Sequence, residues 1–349
     1  MKNYLRKLGA AGLAVFCLGS QILYGAEEKP ILYLEEAVKA GLTYSNQLSL
    51  NAKERELLKE RLKTSQNDAY EIYQSIYLEK AKSENQTEIL KDRITYDITS
   101  RYYHLVLAEE ELAYLDEAIS VQAKELEIMR IKKEMGVTTS IDYENLQTAL
   151  QDLKNNKQAK LDVLSNDKSY FKLITGKDAE VYSLQNNLAY ELYRVPGNAD
   201  RYIDTIIEKY LRYDKDLAEF AKEHVIIAGM QPVFYAEYLE KKYTADKGLS
   251  ALEDIKKGMK EALMDSYSSL MSLEEQMSAL QTKRSLLEKQ LGILKVQYES
   301  GVATRLEYDK LNLGLGEIDL QLNKLITQYN LLREVIEKPW VLVSSNEKD

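Results

Sequence analysis

The sequence predicts an all-α protein made of two repeated, long antiparallel coiled-coil helical hairpins, with little or no β-structure. Three observations lead to this fold class: few turn-forming residues, an internal repeat, and apolar side chains at heptad spacing. The 349 residues include 15 glycines and 4 prolines, whereas 30% are charged and 45% are hydrophobic. A β-sandwich or an alternating α/β sheet needs a turn about every 8–12 residues. With these two fold classes excluded, a fold of long helices remains.

The internal repeat is clearest around two glycines. Residues 134–146 read E-M-G-V-T-T-S-I-D-Y-E-N-L, and residues 299–311 read E-S-G-V-A-T-R-L-E-Y-D-K-L. The same offset of 165 residues, from Gly136 to Gly301, also aligns the apolar positions of the helical segments that precede the two glycines, without a gap. These positions alternate at spacings of 3 and 4, which is the seam of a coiled coil. The chain is therefore two copies of one unit.

The repeat predicts the domain organisation. We expect a signal peptide at 1–26, a first helical repeat at 27–175, a linker at 176–197, a second helical repeat at 198–340 and a C-terminal tail at 341–349. Each repeat begins with a shorter helix and continues as a long helix, a tight turn and a returning helix. The linker is rich in the residues that interrupt helices.

The two repeated glycines mark the tight turns. Gly136 and Gly301 each follow a long helical pattern, at the position where a left-handed residue commonly ends a helix. The threonine and acidic residue that follow each glycine, Thr139 with Asp142 and Thr304 with Glu307, can cap the returning helix.

The first 26 residues predict export. Lys2, Arg6 and Lys7 precede an apolar stretch from Leu8 to Leu18, and the small residues Gly25-Ala26 follow. This order is typical of a secretory signal. We expect cleavage after Ala26, with retention as an N-terminal anchor as the alternative. The protein is therefore expected in the cell envelope, in the periplasm or outer membrane or at an extracytoplasmic face.

Several further features complete a resemblance. An early stretch has the pattern Leu-x-x-Ala-x-x-x-Gly-Leu-x-x-x-Asn, at Leu34, Ala37, Gly41, Leu42 and Asn46. Together with the signal peptide and the duplicated hairpins with their Gly-Val-x-Thr turns, this stretch resembles the TolC-like outer-membrane efflux family over nearly the whole mature chain. The resemblance implies a homotrimer whose six hairpins form a twelve-helix α-barrel. It also implies two partners, a periplasmic adaptor (membrane fusion) protein and an inner-membrane transporter.

The same resemblance implies the site residues. The adaptor-docking tips would be the two turns, formed by Gly136, Val137, Thr138 and Thr139 and by Gly301, Val302, Ala303 and Thr304. Tyr298 and Glu307 would be constriction residues of the closed end. The sequence departs from the family pattern at two constriction positions, where Ala303 replaces a basic residue and Lys310 replaces an acidic one.

A larger departure concerns the membrane strands, which the family inserts between the short and long helices of each unit. Each such strand needs about 9–11 residues of alternating character. Residues 64–92 instead have apolar side chains at helical spacing, with charges close by. We therefore expect helix in this region, and a divergent member of the family that lacks the barrel strands.

Residues 225–239 form the most apolar patch of the mature chain, V-I-I-A-G-M followed after one residue by P-V-F-Y. A buried corner between helices is the preferred interpretation. The alternative is a bent hairpin tip that contacts a bilayer, a partner or a neighbouring protomer.

The sequence supports neither an enzyme nor a nucleic-acid-binding protein. Its net charge is −9, whereas binding to phosphates needs a basic surface. His104 and His224 lack a carboxylate at metal-ligand spacing, and the only cysteine, Cys17, lies in the signal. Phosphate-binding loops and nucleophile elbows are absent. We expect no catalytic, cofactor-binding or metal site.

The predicted function is that of an exported TolC-like component of an efflux or export system, a trimeric helical conduit that docks an adaptor through its hairpin tips. The alternative is a structural or adaptor coiled-coil protein of the envelope with no conduit. A conduit protomer needs apolar seams on two sides, whereas an isolated hairpin needs one. The first long helix offers two seams, a strong one at Ile98, Tyr102 and Leu105 and a weaker one at Tyr103, Val106 and Leu107. This pattern favours the conduit.

Overall fold

The computed structural model describes residues 29–186, 188–224 and 232–342. The predicted signal peptide lies outside these residues, as do residues 225–231 of the apolar patch and residues 343–349 of the tail. The described chain contains seven α-helices and two strands of two residues each. The predicted all-α class, with two repeated helical hairpins, is confirmed.

The first half of the chain has one short strand and four helices. They are β1 (Ile31–Leu32), α1 (Leu34–Tyr44), α2 (Asn46–Thr64), α3 (Tyr70–Glu134) and α4 (Ser140–Thr175). Helix α3 has 65 residues, which corresponds to about 98 Å. Residues 64–92 are helical, as predicted, except for a 3₁₀ turn and a short break before Tyr70.

The rest of the chain has a second short strand, which lies in the linker, and three helices. These elements are β2 (Ser183–Leu184), α5 (Ala199–Glu223), α6 (Pro232–Glu299) and α7 (Arg305–Glu337), and a 3₁₀ turn (Pro339–Val341) follows them. Helix α6 has 68 residues, about 102 Å. The Asn198 side chain caps α5 by accepting a hydrogen bond from the Arg201 backbone N–H at 3.0 Å. Pro339 prevents α7 from continuing.

The long helices pack side by side in the order α4, α3, α7, α6. Helix α3 contacts both α4 and α7, and α7 contacts both α3 and α6. Helices α4 and α6 are therefore the two edges of this row. The shorter helices lie against it, with α1 and α2 on α3 and α5 on α6.

Apolar side chains between the helices of each half form the core. In the first half, Phe171 and Tyr102 lie in a cluster contributed by α1, α3, α4 and the linker. In the second half, Met277 and Tyr329 occupy the corresponding cluster of α6, α7 and the linker. Helix α1 approaches closely at Gly41, where an added Cβ would lie 2.1 Å from the Cδ1 atom of Ile98. A larger residue at this position would therefore require the Ile98 side chain to shift.

Two buried tyrosines attach the linker to the two halves. The Tyr102 hydroxyl accepts a hydrogen bond from the Gln185 N–H at 2.9 Å and donates one to the Leu32 carbonyl at 2.7 Å. These bonds lie beside the parallel pairing of β1 with β2. In the second half, the Tyr329 hydroxyl accepts from the Tyr193 N–H at 2.7 Å and donates to Glu274 at 2.8 Å.

The end of the chain is tied to the first half. Asp92 of α3 accepts hydrogen bonds from Lys338 at 2.8 Å and from the Trp340 ring N–H at 2.9 Å. The neighbouring Arg93 donates to the Trp340 carbonyl at 2.6 Å. The two halves are thus joined about a third of the way along α3 as well as along α7.

Among the described residues, no helix combines the length and the apolar character that crossing a bilayer requires.

Helix α4 ends at Thr175 and α5 begins at Ala199. The domain boundaries at 175/176 and 197/198 stay predictions.

We predict that Phe171→Ala lowers the free energy of unfolding by about 3–5 kcal/mol, because it empties a fully buried site. Tyr170→Ala is the matched control, since Tyr170 is 43% exposed and its ring contacts Arg101 at the surface. We expect the control to cost about 0.5–1 kcal/mol. Chemical denaturation followed by circular dichroism measures both. Equal losses would contradict the assignment of Phe171 to the core.

Candidate functional site

The first glycine turn reverses the chain between α3 and α4. Gly136 has a φ of 73°, the left-handed conformation that glycine adopts without strain. Its N–H donates to the Lys133 carbonyl at 3.0 Å, and the Val137 N–H donates to the Lys132 carbonyl at 2.9 Å. These two bonds satisfy the last carbonyls of α3, as in a Schellman motif.

A capping box starts the returning helix α4. The Thr139 hydroxyl accepts from the Asp142 N–H at 3.1 Å, and the Asp142 carboxylate accepts from the Thr139 N–H at 3.3 Å. Hydrogen bonds from Thr139 lower the pKa of Asp142, the largest contribution coming from its hydroxyl. This carboxylate therefore stays ionised at the N-terminus of α4, where negative charge is favourable.

The second turn, between α6 and α7, has the same backbone arrangement. Gly301 has a φ of 78°, and its N–H donates to the Tyr298 carbonyl at 3.0 Å. The Val302 N–H donates to the Gln297 carbonyl at 2.8 Å. The box is formed here by Thr304 and Glu307, with the Thr304 N–H donating to the Glu307 carboxylate at 2.7 Å.

Both turns present apolar side chains to solvent. Val137 and Val302, which follow the glycines, are 68% and 77% exposed. Met135 and Ile141 beside the first turn are exposed to a similar degree. Exposed apolar side chains held on a fixed backbone are a common feature of protein contact surfaces.

The two turns lie at the same end of the molecule. The Lys124 ammonium of α3 lies 2.7 Å from the Asp309 carboxylate of α7, and Lys310 lies 2.6 Å from Glu125. These contacts are about ten residues from each turn, or about 15 Å along the helices. The structure therefore brings the two groups of predicted tip residues to one end. Their role in docking stays a prediction.

The predicted constriction residues have local partners within this hairpin. The ring of Tyr298 stacks on Tyr308 at 6.2 Å, and the Arg305 guanidinium lies 5.6 Å and 5.4 Å from the two ring centres. The Glu307 carboxylate is held by Thr304, whose backbone N–H makes the largest contribution to lowering the pKa of Glu307. Glu307 is thus part of the capping box of α7. Its role in a constriction stays a prediction.

Sequence reasoning missed the charged pairs that join the two hairpins near the turns. The Asp309 carboxylate is only 10% exposed, and it accepts hydrogen bonds from Lys124 at 2.7 Å and from Arg305 at 2.8 Å. Attraction to Asp309 is the main reason that the pKa of Arg305 is raised. One signal was available, since the repeat places Ser140 opposite Arg305 and the second copy alone has a basic residue there.

Farther from the turns, the contact between α3 and α7 continues as a ladder of polar pairs. They are Glu117 with Asn312, Glu110 with Asn323 and Glu111 with Lys324. Tyr114 packs beside Gly316 in the same contact. We call all the polar pairs between α3 and α7, from Glu110 to Glu125 on α3, the polar seam. Ion pairs also occur inside the hairpins, as between Lys157 and Asp116 and between Arg284 and Asp319, in addition to the apolar clusters.

Among the described residues, no group of three or more histidine, cysteine or carboxylate side chains is arranged to hold a metal ion. His104 lies on the exposed face of α3, and His224 caps the end of α5 against Phe220.

Known structures identify the architecture. The chain is similar to the structure described as CusC, with a TM-score of 0.64, 10% identity, and coverage of 88% of this chain and 91% of that chain. It is similar to the CmeC outer membrane channel of Campylobacter jejuni, with a TM-score of 0.60, 13% identity, and coverage of 90% and 87%. The chain has the TolC-like fold.

A third structure with the TolC-like fold is the outer membrane protein VceC of Vibrio cholerae. It matches with a TM-score of 0.57 and 10% identity, covering 87% of this chain and 96% of that chain. No protein-family model and no curated protein sequence matches the chain. The TolC-like fold predicted from the repeat and its turns is thus confirmed by structure, at a level of identity where sequence comparison finds nothing.

We predict that Asp309→Asn loosens the polar seam next to the turns. Asp309 holds two cations that are largely in solvent, so we expect a loss of about 1 kcal/mol of local stability. Amide hydrogen exchange at residues 120–134 and 305–312 should then be about fivefold faster.

Asp319→Asn is the matched control, because Asp319 pairs with Arg284 inside one hairpin. We expect unchanged exchange around both turns in this variant. Equal acceleration in the two variants would show that Asp309 has no special role in joining the hairpins.

Proposed function

We propose that the protein is an exported TolC-like component of an efflux or export system, and that three copies form a helical conduit. The observation that carries this proposal is the open row of four long helices, which ends in two unpaired edges. Copies of such a row can form a ring if the α4 edge of one copy packs on the α6 edge of the next. Head-to-tail contacts of this kind form a closed ring when the rotation between neighbouring copies divides a full turn. Three rows would supply the twelve helices of such a conduit.

Each edge has an exposed apolar stripe that such closure would cover. On α6 the stripe is Leu286, Ile293 and Val296, and on α4 it is Val163, Tyr170 and Leu173. Both stripes have spacings of 7 and 3, which place their members on one helix face as in a coiled-coil seam. The α6 stripe lies near the turn and the α4 stripe near the far end of its helix. Each would therefore pack on a different part of the neighbouring helix.

The known structures support a channel role. CmeC is described as an outer membrane channel, and the structure of CusC is described in terms of transmembrane channel formation. We propose the same class of function here, in the cell envelope, with no catalytic step. Energy for transport would come from a separate inner-membrane transporter.

The turns would dock the periplasmic adaptor. Val137 and Val302 are fixed on identical backbone turns, so three protomers would present six similar apolar contact points at one end of the conduit. This arrangement fits a partner that itself repeats around the same axis. The eight predicted tip residues would form these contact points.

The polar seam offers a physical route for opening. Apolar packing inside each hairpin keeps its two helices together, whereas the lysines of the polar seam are about half exposed and can exchange their partners for water more readily. Docking at the turns would then let one hairpin move relative to the other. Opening should therefore be easier at high salt, which screens exposed ion pairs.

We predict that Ile293→Glu with Val296→Glu prevents trimer formation without loss of helix, because it puts two charges on the α6 edge. Leu50→Glu with Leu57→Glu is the matched control, since these residues are equally exposed but lie on α2. Light scattering should give three times the monomer mass for the wild type and the control, and the monomer mass for the edge variant. A monomeric wild type would favour the alternative of a coiled-coil spacer without a conduit.

We predict that Gly136→Leu with Gly301→Leu abolishes adaptor binding with little loss of helix. Each substitution forces a side chain into the left-handed conformation, at about 1–2 kcal/mol per residue. Gly248→Leu with Gly258→Leu is the matched control, because both glycines lie inside α6 with open space around them. Pull-down with the adaptor proteins of the source organism measures binding. Unaltered binding by the turn variant would contradict the docking assignment.

A further inference from the structure

The internal repeat relates the long helices to each other as well as the two turns. The offset of 165 residues carries α3 onto α6 and α4 onto α7. Within one chain, α3 packs against α7 through the polar seam. The equivalent contact would join α6, the copy of α3, to α4, the copy of α7. These two helices lie at opposite edges of the row, so this contact needs a second copy of the chain.

The ion pair of the polar seam nearest the turns has a copy on the two edges. Lys124 and Asp309, which lie 2.7 Å apart, become Lys289 and Glu144 when the offset is applied to both. The copy is again a lysine and a carboxylate. The side chains of Lys289 and Glu144 are exposed, and among the described residues neither forms an ion pair.

Most of the other seam pairs also keep their ability to form hydrogen bonds. The copy of Glu111 and Lys324 is Gln276 and Ala159, which cannot pair. Three further copies each join two side chains that can form a hydrogen bond. In these copies Glu125 with Lys310 becomes Gln290 with Asn145, Glu117 with Asn312 becomes Thr282 with Gln147, and Glu110 with Asn323 becomes Glu275 with Gln158.

An apolar position on the same face of α6 is uncovered. On α3, Val121 lies between Glu117 and Lys124 on the face that meets α7, and it is 4% exposed. Its copy Leu286 lies on the corresponding face of α6 and is 54% exposed. An α4 helix placed on α6 as α7 is placed on α3 would cover Leu286. The α6 edge is therefore a contact face of the same kind as that of α3, without the helix that covers it.

We propose that neighbouring copies pack in the register of the polar seam, so that Lys289 of one copy pairs with Glu144 of the next. The inference rests on the proposed conduit, and it specifies which residues of the two edges meet. This contact carries one ion pair, whereas the polar seam carries three. The copy of Arg305 is Ser140, so Glu144 also lacks the second cation that Asp309 has. Salt therefore weakens the contact between copies less than it weakens the polar seam.

Charge reversal tests the ion pair, with light scattering over a series of protein concentrations. We expect Lys289→Glu to weaken association by about threefold at each of three contacts, or about 30-fold for the trimer. Lys289→Glu with Glu144→Lys should restore association, because the pair is present again with its charges exchanged. Lys295→Glu is the matched control, since Lys295 is exposed on α6 and its copy Arg130 pairs within α3.

Cross-linking with a short bismaleimide tests the register. Gln290→Cys with Asn145→Cys should give covalently linked trimers on a denaturing gel, above the background of the unsubstituted chain. Glu125→Cys with Lys310→Cys is the calibration, because these residues make the equivalent contact within one chain. It should react at a similar rate and leave the chain monomeric. Gln290→Cys with Asp152→Cys is the register control, since Asp152 lies two helical turns, about 11 Å, beyond Asn145 on α4.

Three outcomes would overturn the pairing while the trimer remains. They are an unchanged association constant for Lys289→Glu, a charge exchange that does not restore association, and faster cross-linking at Asp152 than at Asn145. In each case light scattering still reports three copies, so the proposed conduit stands. A wild type that is monomeric at every concentration would overturn the conduit and this contact together. Circular dichroism checks that each variant keeps its helices.

Discussion

Helix α3 packs against α7, and this contact decides how the rest of the molecule is arranged. It places the two hairpins side by side in one row and leaves α4 and α6 as edges. The largest clusters of buried apolar side chains lie inside the hairpins, although ion pairs occur there as well. Within each half, fully buried side chains such as Phe171 and Met277 fill the space between helices. Between the halves, carboxylates, lysines and amides pair across the polar seam.

This difference gives the two contacts different mechanical properties. Separating an apolar seam exposes buried area at about 25 cal/mol for each Å², so the buried clusters resist separation of the two helices of a hairpin. Separating the ion pairs of the polar seam costs less, because its lysines are about half exposed and water can replace their lost partners. The additional contact of Asp92 with Lys338 and Trp340 ties the halves together far from the turns. The hairpins are thus fixed at one level and held by exchangeable contacts near the turns.

The fold and the turns were predictable because their causes are local or periodic. The Schellman bonds and capping boxes at Gly136 and Gly301 join residues within a few positions of each other, so the two short motifs reveal them. Heptad spacing likewise reveals which face of a helix is buried. The pair formed by Lys124 and Asp309 spans 185 residues of sequence, and no short pattern indicates it. The linker contacts at Tyr102 and Tyr329 were missed for the same reason.

The duplication gives the two turns one backbone and different charges. The first turn follows the basic residues Lys132 and Lys133, whereas the second follows Gln297 and Tyr298. Arg305 and Asp309, which anchor the second turn to the polar seam, correspond to Ser140 and Glu144 in the first copy. A partner that contacts both turns therefore meets equivalent valines, Val137 and Val302, on the same backbone arrangement but with different charges beside them. Shape would be common to the two contacts, and charge would tell them apart and set the register of the complex.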